Sequence, residues 1–490
     1  MTRGFRSGLE LRFSDLKPWR ARKFRGVSLF STEGVRLRVS VRTARLAEVH
    51  IIQSVWSAAI RRAGVCALSL ARHSSRKSSR HALAIALPML LAAVGCRRAH
   101  FPDVPPGYRE FAYVSNGSSN TVSVLDLVYM RQDRTLQVGS QPSGLAINPK
   151  RNEVYVVNTL SGTVSVIDTE ANRVVATIPV HKLPFFIDVD TAGHFAYVAN
   201  SGSNSVSVID LDGRREIGVV GTGEQPGLAR ISPDMRTLVV TNRGSSSVSI
   251  FAVEPYATEE AHGLPGLPIK PKPAAKQPMP RLRAAFSGCP GATDAVILPD
   301  SSKAFIACSS GHQVMAVSLA AAPDTWAAKQ DPSLLTDHML TLLEVGRTPT
   351  QLALKPDGGE IFCSNFGSDS ISEINTKMNE VGGTYTISNG PVYGVVSGDN
   401  STLWVSNFSA DSINLWSIDD GQMAGSVRTG DAPDTLAFSV DEHLLLAADA
   451  HSGDVSVIRT ADKNGPALFT ILPAGGSPNA IVVKAMQGKP

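Results

Sequence analysis

The chain has 490 residues, 43% of them hydrophobic and 6% aromatic, with 41 glycines and 30 prolines. Its net charge of +4 is unevenly spread: residues 1–98 hold 20 Lys and Arg against 4 Asp and Glu, which leaves −12 on residues 99–490. An acidic body has no electrostatic hold on a phosphate backbone, so a nucleic-acid partner is not expected. Few aromatics and many turn formers suit an all-β protein instead.

Residues 1–71 are Arg-rich and lack sustained periodicity. They read as a disordered N-terminal extension or as a start codon placed too far upstream. Over 72–96, Arg72, Arg76, Lys77 and Arg80 precede the 14-residue run ALAIALPMLLAAVG and then Cys96. A positive flank, an apolar run and small residues before a cut describe a secretory signal. The run is short of the ~20 residues that span a bilayer. Ala93-Val94-Gly95-Cys96 resembles the bacterial lipobox, although Ala93 stands where Leu is usual. The resemblance implies lipidation of Cys96 and an exported protein held at a membrane, facing the periplasm or the cell surface; plain secretion or an uncleaved anchor is the alternative. Residues 97–110, with Pro102, Pro105 and Pro106, read as a tether.

From Phe111 onward the sequence repeats itself. YVSNGSSNTVSVLDL (113–127) returns as YVVNTLSGTVSVIDT (155–169), YVANSGSNSVSVIDL (197–211) and VVTNRGSSSVSIFAV (239–253). Asn116, Asn158, Asn200 and Asn242 are each 42 residues apart. Alternation of Val with Ser or Thr marks strands, and a Gly- and Asn-bearing turn separates two of them. A further strand (174–179) and a Pro-led strand (142–149) complete four per unit, the content of one β-propeller blade. Later the spacing breaks. Cys308 takes the asparagine slot 66 residues after Asn242, Asn365 follows 57 later, and Asn407 and Asp449 come at intervals of 42.

Eight prolines (142, 184, 226, 290, 349, 391, 433 and 478) each introduce a strand. They predict one all-β propeller over 111–485 with eight four-stranded blades, or seven if a divergent unit is not a full blade. The repeats begin on the second strand of a blade and end on a first strand, 478–483. Pairing that last strand with the first repeat would close the ring and leave no open edge. Insertions at 254–283 and 320–340 both fall between third and fourth strands, so both should emerge on one face.

With these motifs in view, the chain resembles the YVTN-type propeller repeats of bacterial and archaeal surface and periplasmic proteins. YVSN (113–116), YVVN (155–158) and YVAN (197–200), each followed by a VSVID-like strand, carry the likeness. It implies an exported propeller in an adhesion, surface or substrate-binding setting. Similar propellers occur in lactonases and in periplasmic haem- or quinone-linked oxidoreductases. A fold does not fix an activity.

Candidate chemistry is sparse. A hairpin turning near Asp300 would bring Cys289 to Cys308, giving either a disulfide in an oxidising compartment or two buried thiols. No C-x-x-C-H occurs, no zinc-like spacing is seen, and no cofactor or metal is expected. His181, His194, His312, His443 and His451 scatter over turns, and the recurring Asp126, Asp168 and Asp210 read as turn residues that bond backbone amides. What varies after the recurrent proline is Phe185, Phe186, Gly227, Arg230, Asp294, Gln351, Tyr393, Asp434 and Asn479. These are expected to ring the central mouth and to suit a polar organic, carbohydrate or protein ligand; ordinary loop variation is the competing reading. With no nucleophile–base pair and no phosphate loop, the sequence favours a monomeric binding protein. A metal-assisted lactonase or a periplasmic oxidoreductase is the alternative.

Overall fold

The computed structural model describes residues 105–254, 279–323, 325–461 and 465–486. Cys96, its signal segment, the Arg-rich extension and 255–278 of the first insertion lie outside those residues. Eight four-stranded antiparallel sheets form an eight-bladed propeller. Blade 1 combines Arg109–Asn116, Thr121–Asp126 and Arg131–Gln137 with the distant strand Pro478–Met486. Tyr113 faces Val482 and Ser115 faces Ala480 across that closing pair. Blades 2 to 8 then span 142–179, 184–221, 226–287, 292–344, 349–386, 391–428 and 433–473. The first strand of each is innermost, and neighbouring inner strands pack side by side all round the ring.

The second and third strands of each blade are almost wholly buried, and many of the polar residues among them bond one another. Asn116 Nδ2 donates to Thr121 Oγ1 and Ser123 Oγ, both at 3.0 Å. Asn158, Asn200, Asn242 and Asn365 repeat this bond to the residues five and seven later. Buried amides need such partners, which is why an asparagine before the turn travels with the Ser between the valines. The residue four after each asparagine slot takes a left-handed φ, from Asn120 to Gly453. Its side chain often accepts the amide just before the next inner strand: Asn120 from Gln141, Asn204 from Gln225, Asp369 from Gly390 and Asp411 from Ala432. His312 holds the same place, its Nδ1 accepting from Thr348 at 3.1 Å. Asp126, Asp168 and Asp210 accept turn amides, from Val128, Glu170 and Gly213 among others.

Blade 5 departs from the expected register. Its inner strand is Ala292–Ile297, and Ala292, not Pro290, pairs with the asparagine-slot residue Cys308. Cys289 therefore lies three residues before the strand, where blades 2, 4, 6, 8 and 1 carry Gly139, Gly223, Gly346, Gly430 and Gly475. A Cβ on any of these glycines would come within 2.8 Å of the asparagine-slot side chain, such as 2.7 Å from Asn116 at Gly475. In blade 5 both members of this close pair are cysteines, joined as a disulfide with Cα atoms 4.8 Å apart. Cys363 is a free, buried thiol.

The insertions are shorter than their sequence bounds. Strands resume at Arg281–Ser287 and His338–Glu344. The second insertion carries one helical turn (Trp326–Gln330) and a 3-10 turn (Pro332–Leu335). Asp337 pins it, accepting from the Ala320 amide at 2.9 Å and from Arg283 Nη2 of blade 4 at 2.7 Å.

Candidate functional site

Inner strands are sheet edges, so one side of each carries N–H and C=O groups with no further strand to pair with. Side chains of the preceding blade bond several of them. Asp188 Oδ2 of blade 3 accepts from Ile231 N of blade 4 at 3.0 Å. Asp294 of blade 5 accepts from Leu352 N at 2.9 Å, and Gln351 of blade 6 from Gly394 N at 2.8 Å. One position after the strand's opening slot, Ser143 donates to Phe185 O, Thr350 to Val392 O and Asn479 to Pro142 O.

The residues expected at the mouth thus do not share one position, contrary to the sequence reading. Phe185, Asp434 and Asn479 are one after the slot; Phe186, Asp294, Gln351 and Tyr393 are two after it; Arg230 is four after it. Register in each inner strand bulges between the slot and its second residue, which a linear alignment cannot show. Asp294, Gln351 and Asn479 are spent on inter-blade ties.

A charged cluster follows from the rest. Arg230 stacks over Phe186, its Cζ 5.4 Å from the ring centroid, and reaches Asp294 Oδ1 at 3.8 Å. Asp188 and Asp294 flank this guanidinium. Burial pushes both carboxyls up, and Arg230 with backbone amides pulls them back. Burial also raises the Tyr393 phenol, which sits within electrostatic reach of Asp294, Arg230 and Asp434. Asp434 is pushed up to about 6 by burial alone. Its carboxylate and the Tyr393 hydroxyl make no hydrogen bond among the described residues, and neighbouring Thr435 Oγ1 is buried without a partner there. Blades 7 and 8 therefore present three polar groups that make no hydrogen bond among the described residues.

Asp188 was missed by sequence reasoning, and so was the signal for it. The fourth position after the slot is Ala146, Val296, Ala353, Val395, Ala437 or Val482 elsewhere, so a charge at Asp188 or Arg230 stands out once the blades are in register. Arg243, exposed in the turn after Asn242, was missed too; it lies over Phe185 at 5.7 Å. Among the described residues, no group of three or more His, Cys, Asp or Glu is placed to hold a metal ion. His181, His194, His443 and His451 are each beside a carboxylate, those of Glu216, Asp212, Asp441 and Asp431. Two open depressions, about 460 Å³ beside Leu160 and His181 and about 620 Å³ beside Ser118 and His451, contain none of the mouth residues.

No family model and no curated protein matches this chain. Solved structures do, as folds. A dihydro-heme d1 dehydrogenase, NirN, superposes with a TM-score of 0.59 at 14% identity, covering 79% of this chain and 77% of that one. Apo AztD from Citrobacter koseri gives 0.55 at 14% identity over 78% of this chain and 99% of its own. At such identities the likeness establishes the propeller and no activity.

Proposed function

We propose that this is an exported YVTN-type propeller, lipid-anchored through Cys96, that binds a polar organic or carbohydrate ligand at the mouth of its ring. One observation carries the binding role: at the junction of blades 7 and 8 Tyr393 and Asp434 lie within electrostatic reach of each other and make no side-chain hydrogen bond among the described residues, and the Thr435 hydroxyl beside Asp434 is buried without a partner there. The buried Thr435 hydroxyl costs about 1–3 kcal/mol while it has no partner, and a ligand's donors and hydroxyls would satisfy it together with the two groups beside it. An aromatic face beside a carboxylate suits a ligand carrying hydroxyl or ammonium donors. Export is supported by the signal-like run before Cys96 and by a Cys289–Cys308 disulfide, which belongs in an oxidising compartment.

A thermal-shift screen of sugars, polyols and amines against membrane-extracted protein tests the binding role, since a ligand that binds only the native state raises its melting temperature. A hit should vanish in Asp434→Asn and weaken in Tyr393→Phe. Hits indifferent to both substitutions would remove the mouth from consideration. Intact-mass mapping of the same preparation should find an N-terminal lipidated Cys96; an N-terminus upstream of it removes the anchor.

A further inference from the structure

Gly227, the residue after the opening slot of blade 4, has an ordinary backbone conformation, so its missing side chain is not a demand of the fold. A Cβ built there meets Thr241 Oγ1 at 3.6 Å, Ala292 O of blade 5 at 3.9 Å and Arg243 Nη2 at 3.5 Å. Thr241 is fully buried, and its hydroxyl has no partner among the described residues. Blade 1 shows what normally bridges such a junction. There Ser115, in the slot of Thr241, donates to Asn479 Oδ1 at 2.7 Å, and Asn479 Nδ2 donates to Pro142 O of the next blade at 3.0 Å. Blade 4 keeps the hydroxyl and the carbonyl and lacks the carboxamide between them.

We infer that the Gly227 notch is a subsite for a primary carboxamide supplied by a ligand. The amide oxygen accepts from Thr241 and from the guanidinium of Arg243, and its NH₂ donates to Ala292 O. A carboxylate fits worse, because its second oxygen would face that carbonyl. Arg243 makes no side-chain hydrogen bond among the described residues and is held only against the half-exposed ring of Phe185. It can therefore swing outward to admit a group and close on it, with Phe185 beside the ligand's body.

This subsite shares the mouth with the ligand proposed above, but none of its residues. Titration of the full chain with benzamide, benzoate and acetophenone, followed by saturation-transfer NMR, tests it. Benzamide should bind at least about tenfold more tightly than either analogue, the factor carried by one hydrogen bond. Gly227→Asn should abolish benzamide binding while melting no lower than wild type, because it supplies the bridge that Asn479 makes in blade 1. Thr241→Val should weaken benzamide by about tenfold, and it reads the same bond should the asparagine variant fold poorly. A sugar, polyol or amine hit from the thermal-shift screen should survive Gly227→Asn, which separates failure here from failure at blades 7 and 8. Equal affinity for benzamide and benzoate, undiminished binding in Gly227→Asn, or no binding of benzamide at all overturns the inference.

Discussion

Asp434 is a carboxylate held where its charge is poorly solvated. In the unfolded chain it titrates near 4; in the native ring it titrates at about 6. Between those values the folded protein keeps a proton that the unfolded chain has released, so stability falls as pH rises through the window and stays lower above it. Asp434→Asn removes that dependence. The variant should be more stable than wild type by about 1–2 kcal/mol at pH 7.5, after allowing for water in the channel, with the gap closing toward pH 4. Urea melts at both pH values measure it, and a gap of equal size at the two would contradict the assignment. Asp449 is a second residue of this kind. It occupies an asparagine slot, and burial together with Asp454 raises its carboxyl. Asp454 stands where blade 1 has Thr121, so two carboxylates meet where an amide normally meets a hydroxyl. Asp449→Asn should restore the usual donor toward Asp454 and Ser456, and stabilise the protein by about 1 kcal/mol at neutral pH. A loss of stability would mean that the carboxylate's bonds from Ser456 N and Oγ are worth more than the restored amide.

Elements of this fold were legible wherever one side chain serves the same bond in blade after blade. The asparagine with its two hydroxyl partners is such a bond in five of the eight blades, and it revealed strands two and three of those units without any structure. Inner strands were located but not registered. The bulge after the slot moves Asp294 and Arg230 to different depths, and Pro290 imitates a slot that Ala292 fills. The mouth was legible only as a set of variable positions, because which of them are consumed by inter-blade ties depends on the neighbour's backbone. The blade 5 cystine makes the same point. A linear reading sees two cysteines, whereas the register shows a glycine and an asparagine exchanged together at a point of close approach. Closing a loop with a sequence separation of 19 restrains the unfolded chain by roughly 3 kcal/mol. Reduction with dithiothreitol should therefore lower the melting temperature of wild type, and leave a Cys289→Gly/Cys308→Asn variant unmoved. That variant should also be more stable than Cys308→Asn alone, in which the Cys289 side chain crowds the new amide. Equal stability of the two would show that the close approach does not decide the residue pair.

At the scale of the whole molecule the ring depends on a single strand from far along the sequence. Pro478–Met486 is at once the inner strand of blade 1 and the neighbour of the inner strands of blades 2 and 8. Along Arg109–Asn116 it pairs from Arg109–Met486 to Asn116–Pro478. Its ties extend beyond the ladder: Gly475 N reaches Asn116 Oδ1, Asn479 joins Ser115 to Pro142, and Lys484 Nζ donates to Asn148 O of blade 2 at 2.8 Å. Without this strand, blade 1 would expose both the edge of Arg109–Asn116 and the apolar faces it shares with blades 8 and 2. An unpaired, largely apolar edge recruits other chains. Truncation after residue 474 should therefore give a protein that elutes as aggregates and unfolds without a single cooperative transition, while Lys484→Met, which removes one tie and keeps the ladder, remains monomeric. Size-exclusion chromatography and circular-dichroism melts distinguish the two. A truncated chain that stays monomeric and melts cooperatively would show that seven complete blades and a three-stranded remnant hold the ring without closure, and that the last strand is dispensable to it.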